Sequence, residues 1–402
     1  MTDLHSPGTG RLRILHLANH CHEIGNGIMN VAVDLACAQA EQGHTVSFAS
    51  GGGSYVPLIE SAGVRHHRLD QHWRRPLAVP GALLRLRALL KRERPDIVHA
   101  HMMTGAVLAR MLRPGAKWRL VTTVHNEWQR SAVVMGVGDK VIAVSDAVAR
   151  QMAKRGIASS RIEVVRNGPL GSPRRRYDGA RAIDLGSPSI LTVAGLYARK
   201  GIADLIAAFA IVAARHPLAS LTIVGDGPDR TAFEVQARAS GYSERIRFAG
   251  FAPDPMPYFR GTDIFVLASH SEPFGLVLAE AREAGCACIG CTVGGIPEVL
   301  EEGHAGLLTP PYDPPALART LLALIEDPVS LAHWRRAARQ NLDWLSTRRM
   351  AADTVAVYRH AMGAAGQDRH ARNGPDRAGA ASPVPAMVER RRSNPSADPA
   401  IR

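Results

Sequence analysis

One pattern constrains the fold of this chain more than any other: short apolar runs alternate with amphipathic helical stretches, and the alternation occurs twice. An apolar run at 12–18 leads through a glycine loop into a helical pattern at 28–42, and a second apolar run follows at 44–49. Strand, glycine loop, helix and strand make the βαβ unit of a parallel sheet. The first half continues in the same way, with strands predicted at 97–100, 120–124, 140–144 and 162–165 and helices at 80–94, 104–112 and 146–155.

The alternation stops between about 167 and 188, where Gly, Pro, Ser and Arg dominate as they do in linkers. It then restarts, with strands predicted at 189–194, 220–224, 246–249, 264–268 and 287–290 and helices at 201–215, 228–240 and 274–284. The sequence therefore predicts an α/β protein with two Rossmann-like, doubly wound domains facing a central cleft. Ligands of such sheets bind at the carboxyl ends of the strands.

The predicted domain boundaries follow from these breaks. They are a first domain at 1–170, a linker at 171–188, a second domain at 189–346, a C-terminal helix at 347–364 that packs back on the first domain, and a disordered tail at 365–402. The tail is assigned because it has few large apolar residues and many Ala, Pro, Arg and Ser.

Charge is unevenly distributed along the chain. Residues 1–170 hold 22 Lys and Arg against 12 Asp and Glu, whereas residues 171–364 hold 20 against 20. A basic first half beside a neutral second half indicates that only the first half meets an anionic partner, either nucleic acid or a membrane surface. No apolar run of about 20 residues and no secretory signal pattern is present in the sequence, so we expect a cytoplasmic protein.

The predicted helix at 80–94 carries much of this charge. Its leucines are interspersed with cations, namely Arg85, Arg87, Lys91, Arg92 and Arg94. Lys117 with Trp118, and the run at 72–75, add cations beside aromatic rings. Such a surface suits the cytoplasmic face of an anionic inner membrane, although a helix with an ordinary solvated basic face has the same pattern. The charge asymmetry favours peripheral membrane contact, and the absence of a recognition motif argues against nucleic acid as a partner.

Three cysteines, Cys286, Cys288 and Cys291, lie close together in the sequence. Their spacing matches no common zinc pattern, and the segment is typical of a buried strand. We therefore predict that these thiols pack in the core.

The segment VAGLYARKG, at 193–201, is the first candidate site. A strand ends near Gly195, and Arg199 and Lys200 stand just before a predicted helix. Two cations beside a helix N-terminus favour a diphosphate, because the backbone amides and the helix dipole also attract negative charge. A solvated loop is the alternative.

The segment SHSEPFGLVLAE, at 269–280, is the second candidate. Glu272 stands just before a predicted helix and Glu280 lies in its second turn. The amides of Phe274, Gly275 and Leu276 are expected to point toward a ligand, and glycine leaves room for its approach.

Two weaker signals lie in the first half. Gly27, in the first glycine loop, has an amide that can contact a phosphate. His125 follows a strand and so is placed at the cleft edge, where either a structural or a functional role is open.

Taken together, these segments resemble glycosyltransferase family 4, whose members are retaining enzymes of the GT-B fold. The resemblance covers about residues 11–362 and is carried by EPFGLVLAE at 272–280, VAGLYARKG, VGDGP at 224–228 and the stretch at 292–317. The resemblance implies an acceptor-binding first domain and a donor-binding second domain. It also implies a glycosyltransferase that moves a sugar from a nucleotide diphosphate donor to a saccharide or lipid-linked acceptor. A bacterial surface polysaccharide, such as lipopolysaccharide, O-antigen or exopolysaccharide, is the expected product.

The same resemblance assigns roles to the second-half residues. Arg199 and Lys200 are expected to bind the donor diphosphate, and Glu280 the ribose. Glu272, with the amides of 274–276, is expected to contact the donor sugar.

The resemblance also assigns roles to three residues outside those segments. Gly195 and Gly27 are expected near the donor, and His125 near the reacting sugar. The first loop reads GNG where the family often has a glycine pair.

Two cations can neutralise a departing diphosphate without a metal ion, and no acidic DxD-type pair stands at a strand end. We therefore expect neither a divalent ion nor a cofactor. An epimerase of the same fold and a basic nucleic-acid-binding protein are the alternatives; release of a free nucleotide diphosphate and salt-sensitive DNA binding, respectively, distinguish them from the transferase.

Overall fold

A computed structural model describes residues 10–71, 79–126, 129–175 and 181–372, with side chains up to 363. Within these residues the first half forms one parallel sheet in the order β3-β2-β1-β4-β5-β6-β7. Its strands are β1 (Arg13–Leu17), β2 (Thr45–Ser50), β3 (Arg65–Arg68), β4 (Ile97–Ala100), β5 (Arg119–Val124), β6 (Lys140–Ala143) and β7 (Ile162–Val164). Its helices are α1 (Gly27–Glu41), α2 (Val56–Ser61), α3 (Val79–Glu93), α4 (Met103–Met111) and α5 (Asp146–Lys154).

Helix α1 shows how local chemistry sets these elements. The side chain of Asn26 accepts a hydrogen bond from the amide of Ile28 at 3.0 Å, which satisfies one free amide of the first turn. The helix ends before Gly43, whose φ of 87° lies in the left-handed region that glycine adopts easily. Almost every face of α1 is buried, which matches its apolar sequence.

The second half forms a separate parallel sheet in the order β10-β9-β8-β11-β12-β13 over the described residues. Its strands are β8 (Ser189–Val193), β9 (Ser220–Val224), β10 (Ile246–Gly250), β11 (Ile264–Leu267), β12 (Ala287–Cys291) and β13 (Leu307–Thr309). Its helices are α6 (Ile202–Arg215), α7 (Arg230–Ala239), α8 (Met256–Arg260), α9 (Leu276–Ala284), α10 (Ile296–Val299), α11 (Pro314–Glu326) and α12 (Pro328–Ala338). Two doubly wound sheets confirm the predicted fold class.

The last helix, α13 (Thr347–Arg372), packs against the first sheet through its N-terminal part. Met350, Val355 and Tyr358 are buried in the same cluster as residues of β1 and α1. Residues up to Gly363 belong to one compact unit and those from Ala364 to another. The helix continues to Arg372, so residues 365–372 are helical where a disordered tail was predicted; residues 373–402 lie outside the described part of the chain.

The cysteine cluster packs as predicted. Cys286, Cys288 and Cys291 are buried and unpaired by disulfides, on β12 and immediately before it. Burial raises the pKa of the Cys286 thiol to about 12, so this group stays protonated and behaves as a small apolar side chain.

No helix in the described part of the chain combines the length and the apolar character needed to cross a bilayer.

Candidate functional site

Strand order reverses direction at one point in each sheet, between β1 and β4 in the first and between β8 and β11 in the second. The loops that leave adjacent strands at such a point diverge and open a crevice, which is the usual ligand site of this architecture. The loop after β1 carries Gly25 and Gly27, and the loops after β8 and β11 carry the two second-half candidate segments. The topology therefore places the first glycine loop and the two second-half segments at the switch points, whereas His125 follows β5, the strand next to β4.

The loop after β8 ends in a tight turn, Ala198–Lys200, just before α6. Gly201 follows with a φ of 64°, and a Cβ added there would lie 1.9 Å from the carbonyl oxygen of Ala268. Only glycine fits, because the turn lies directly on the end of β11. The backbone carbonyl of Arg199 accepts a hydrogen bond from the amide of His270 at 2.8 Å, so the two candidate loops are joined through their backbones.

Their side chains meet as well. Lys200 Nζ lies 2.5 Å from Glu272 Oε2, and both side chains are largely buried, at 16% and 12% exposure. The guanidinium of Arg199 lies 5.1 Å from the centre of the Tyr197 ring, a cation–π contact within the same loop. The structure thus brings Lys200 and Glu272 together, with Arg199 next to Lys200 in the same turn.

The loop between Glu272 and α9 is fixed by close backbone approaches. The amide of Gly295 donates to the carbonyl of Glu272 at 3.0 Å, and a Cβ on Gly294 would lie 1.9 Å from that same oxygen. Gly275 precedes α9 with a φ of 99°, again a left-handed conformation. The Phe274 side chain is buried, 6.4 Å from the ring of Trp344, so its backbone rather than its ring is the part that can contact a ligand.

Two helix N-termini meet at this place. Gly27 begins α1 and Leu276 begins α9, and a Cβ on Gly27 would lie 3.2 Å from Leu276 Cδ1. Each N-terminus carries unpaired amides and a partial positive charge. Together with Lys200 they make a site suited to a group with several negative oxygens.

Glu280, in the second turn of α9, lies beside a charged cluster that sequence reasoning missed. Arg174 pairs with Asp34 of α1 through two bonds of 2.8 and 2.9 Å, and Ser172 Oγ donates to the same carboxylate at 2.6 Å. Burial raises the pKa of Glu280, and the neighbouring guanidinium of Arg174 partly offsets that increase. This cluster ties α1, the junction between the sheets and α9 into one surface.

The missed residues left a signal in the sequence. Asp34 is an acidic residue inside the apolar stretch of α1, and a buried carboxylate requires a partner. The basic run that begins at Arg174 supplies it. Gly294 and Gly295 lie in the stretch at 292–317 that resembles the family, and the structure places both against the Glu272 carbonyl.

His125 stands apart from this cluster in its contacts. Its Nε2 lies 3.2 Å from Nδ1 of His101, which ties the ring into the first sheet. Burial lowers the pKa of His125 to about 3, so the imidazole is neutral at physiological pH. Gly195 lies two residues after the end of β8, and a Cβ added to it would be 3.0 Å from a ring carbon of Tyr197.

Comparison with known proteins gives matches along most of the chain. The family described as "Glycosyltransferase Family 4" matches residues 25–168, and the family described as "Glycosyl transferases group 1" matches residues 173–341. The two matches meet between 168 and 173, at the start of the predicted linker.

Individual relatives agree. A glycogen synthase of Mycobacterium tuberculosis is 31% identical over 289 residues, which cover 66% of this chain and 69% of that protein. A phosphatidyl-myo-inositol mannosyltransferase of Mycolicibacterium smegmatis is 26% identical over 385 residues, 88% of this chain and 95% of the relative.

Among solved structures, HepE of Anabaena in complex with UDP and glucose superposes with a TM-score of 0.70 at 19% identity, over 86% of this chain and all of that one. At this identity the likeness establishes the shared fold.

Proposed function

The chain belongs to glycosyltransferase family 4, and from this premise we propose that it transfers a sugar from a nucleotide diphosphate donor, with retention of configuration, to a lipid-linked saccharide. It is a glycosyltransferase of glycan synthesis, as its relatives are. The donor class is supported by HepE, which binds UDP and glucose on the same fold. The site described above fits such a donor.

One observation carries the proposal: Lys200 and Glu272 form an ion pair where the N-termini of α1 and α9 meet. Breaking an anomeric C–O bond places negative charge on the departing diphosphate and positive character on the sugar. Arg199, Lys200 and the helix N-termini stabilise the departing charge, and Glu272 lies where it can contact the sugar. The same lysine therefore orients the carboxylate and neutralises the leaving group.

Retention is implied by the resemblance to glycosyltransferase family 4. The carboxylate of Glu272 is already paired with Lys200 at 2.5 Å, which disfavours its attack on the sugar to form a covalent intermediate. We propose that the acceptor attacks on the face from which the diphosphate leaves. The departing diphosphate itself then takes the acceptor proton, so charge and protons balance.

We also propose that the reaction needs no divalent ion and no cofactor. Lys200, Arg199 and two helix N-termini already supply the positive field that a metal ion gives in other nucleotide-sugar enzymes.

Donor binding is tested by thermal unfolding in the presence of UDP, GDP, ADP and CDP, since a ligand that binds only the folded state raises Tm. The nucleotide that stabilises the protein then defines the donor sugars to be assayed with a lipid-linked saccharide. We expect free nucleotide diphosphate and an elongated acceptor in equal amounts. Stabilisation by none of the four, or sugar epimerisation without an elongated acceptor, would falsify the proposal.

A membrane-bound acceptor is supported by the surface of α3. Arg85, Arg87 and Lys91 are exposed there, and we call them the basic face of α3. Leu84, 66% exposed, lies among them on the same helix. Exposed cations beside an exposed apolar side chain suit an anionic leaflet, at about 1 kcal/mol per cation. We propose that this face holds the enzyme at the cytoplasmic surface of the inner membrane, where lipopolysaccharide, O-antigen or exopolysaccharide precursors are assembled.

The structure changes the residues assigned to this surface. Trp118 is buried at 7% exposure, so it cannot enter the leaflet as the sequence suggested; Met111 of α4, 56% exposed, is the apolar side chain presented nearby. Arg92 is engaged with Glu93 at 3.0 Å and with His67 at 2.9 Å. The aromatic run at 72–75 lies outside the described residues.

A further inference from the structure

Behind His125 the first sheet contains a cluster of buried histidines. His16 on β1, His99 on β4 and His101 directly after it are at most 2% exposed. They are neighbours because β1 and β4 pair in register, with His16 opposite His99. Alternate residues of a strand share a face, so His99 and His101 point to the same side.

These rings form one chain of hydrogen bonds that begins at His125. His125 Nε2 lies 3.2 Å from His101 Nδ1, and His101 Nε2 lies 2.9 Å from His16 Nδ1. His16 Nε2 lies 2.9 Å from Gln39 Oε1, and Gln39 Nε2 donates to the hydroxyl of Tyr358 at 3.3 Å. The chain thus runs from the cleft edge, through the sheet, to helices α1 and α13.

The amide of Gln39 sets the direction of the whole chain. An amide oxygen only accepts, so His16 carries its proton on Nε2 and accepts at Nδ1. His101 must then donate from Nε2 and accept at Nδ1. His125 in turn donates from Nε2, which leaves its Nδ1 as the acceptor of the ring.

Every ring in the chain is neutral. Neutrality is required because each imidazole must donate one hydrogen bond and accept one. Burial lowers the pKa of His16 to about 4 and that of His125 to about 3. Burial also lowers the pKa values of His99 and His101 well below the ordinary range.

A side branch that begins at Tyr358 is consistent with this orientation of the Gln39 amide. The tyrosine hydroxyl accepts from Gln39 Nε2 and therefore gives its proton to Nδ1 of His99, 2.7 Å away. His99 then donates from Nε2 to Thr123 Oγ1 at 2.6 Å. Each donor in this branch has one acceptor, so the amide orientation is consistent with every neighbour.

From this geometry we propose that Gln39 and Tyr358 are positioning residues that hold His125 in its Nε2-protonated tautomer. Nδ1 of His125 is thereby kept as an acceptor for a hydroxyl group of the bound sugar substrates, a role that rests on the proposed function. Neither positioning residue touches the substrate. They act through His101 and His16.

The arrangement has an alternative state, which makes the proposal testable. If the Gln39 amide turns over, His16 must accept at Nε2, and every bond as far as His125 reverses. His125 would then carry its proton on Nδ1 and offer a donor where the wild-type ring offers an acceptor. A substitution that removes the Gln39 oxygen, or frees the amide to rotate, should populate this state.

The experiment compares four variants of the full-length protein labelled with ¹⁵N-histidine, with the His125 ring signals assigned by their loss in His125→Gln. Gln39→Met removes the acceptor while keeping a similar volume, and Tyr358→Phe frees the amide. Gln39→Glu retains an oxygen acceptor toward His16. Thr123→Val breaks the side branch but leaves the chain from Gln39 to His125 intact.

We expect wild type, Gln39→Glu and Thr123→Val to show the Nε2-protonated form of His125. Gln39→Met and Tyr358→Phe should show a substantial Nδ1-protonated population. In these two variants kcat should fall about 10- to 100-fold, because a donor in place of the acceptor leaves a substrate hydroxyl without its hydrogen bond. The Kd of the nucleotide diphosphate should stay within about twofold, because the donor diphosphate site is not touched.

Several results would overturn the proposal. Nδ1-protonated His125 in the wild type is one, and an unchanged tautomer in both Gln39→Met and Tyr358→Phe is another. An equal loss of kcat in Thr123→Val would show a general packing effect, and a stoichiometric metal ion retained by His16, His99 and His101 in the purified protein would replace the hydrogen-bonded chain altogether. The NMR readout needs no turnover, so failure of the proposed function is distinguishable from failure of this inference.

Discussion

Replacement of Lys200 by methionine tests the reasoning about the donor site most directly. Methionine keeps the unbranched apolar stem but removes the ammonium group that lies 2.5 Å from Glu272. If this ammonium stabilises the departing diphosphate, its loss removes one electrostatic contact of the transition state. Such contacts are worth about 3–4 kcal/mol, which corresponds to a fall of about 100- to 1,000-fold in kcat.

The same substitution also leaves the largely buried carboxylate of Glu272 without its cation. A fully buried unpaired carboxylate costs about 3–5 kcal/mol, but the 12% exposure of Glu272 and its place at a cleft allow water to reduce this. We expect a loss of about 1–3 kcal/mol in the free energy of unfolding. Stability and catalysis therefore need separate measurements.

Lys140 offers a matched control. Its ammonium pairs with Glu163 at 2.8 Å across β6 and β7, and its side chain is 16% exposed, the same as that of Lys200. The partner carboxylate is more exposed, at 31% for Glu163 against 12% for Glu272, so Lys140→Met should reduce the free energy of unfolding by somewhat less than Lys200→Met and leave kcat unchanged.

The assay is the initial rate of nucleotide diphosphate release at saturating donor, with denaturant unfolding measured in parallel. If Lys200→Met retains kcat within about threefold of wild type, the leaving-group role of Lys200 is wrong. If Lys140→Met loses as much activity as Lys200→Met, the effect is one of stability alone.

Four further outcomes are expected. Arg199→Ala should lower kcat strongly with the fold intact by circular dichroism, because Arg199 shares the diphosphate site; near wild-type turnover contradicts its role. Activity should survive EDTA, since protein cations supply the positive field; loss on chelation that Mg²⁺ or Mn²⁺ restores contradicts this. Replacing the basic face of α3 with Gln should release the protein from anionic vesicles in a sedimentation assay without changing the nucleotide Kd. The control variant replaces three exposed cations of the neutral half, Arg238, Arg247 and Arg319, with Gln and should remain bound to the vesicles. If the α3 variant pellets like wild type at low salt, the membrane assignment is wrong. The pKa values of His16 and His125 are lowered on folding, so below about pH 6.5 the unfolded chain takes up protons that the folded chain excludes. The free energy of unfolding should therefore fall by about 2 kcal/mol for each of the two histidines by pH 5. A free energy of unfolding that stays constant from pH 7 to pH 5 contradicts this.

Apolar patterning predicted most of the fold because buried parallel strands and amphipathic helices leave strong periodic signals. Strand β3 left none: its residues are Arg-His-His-Arg, and as an edge strand it is held by backbone bonds to β2 rather than by apolar burial. Helix α11 was also missed, although its sequence carries a clear apolar stripe, buried at Leu317, Leu321 and Leu324. That signal was sufficient to predict the helix.

The donor site was predictable to the extent that it depends on loops that follow strands. The positions of Arg199, Lys200 and Glu272 could be assigned to the cleft because parallel strands bring their carboxyl ends to one edge. The ion pair between Lys200 and Glu272 could not be assigned, since 72 residues separate the two and only the pairing of β8 with β11 brings them together.

The histidine chain depends still more on tertiary structure. Tyr358 lies on the buried face of the last helix with Met350 and Val355, and a buried hydroxyl must find polar partners. Sequence could not name those partners, because Gln39 is 319 residues away and His99 is 259 residues away. A buried tyrosine in a C-terminal helix is ordinarily a packing residue. Here the hydroxyl completes the hydrogen bonds of a glutamine and a histidine, so the last helix contributes to the tautomer of His125 through contacts that no local pattern records.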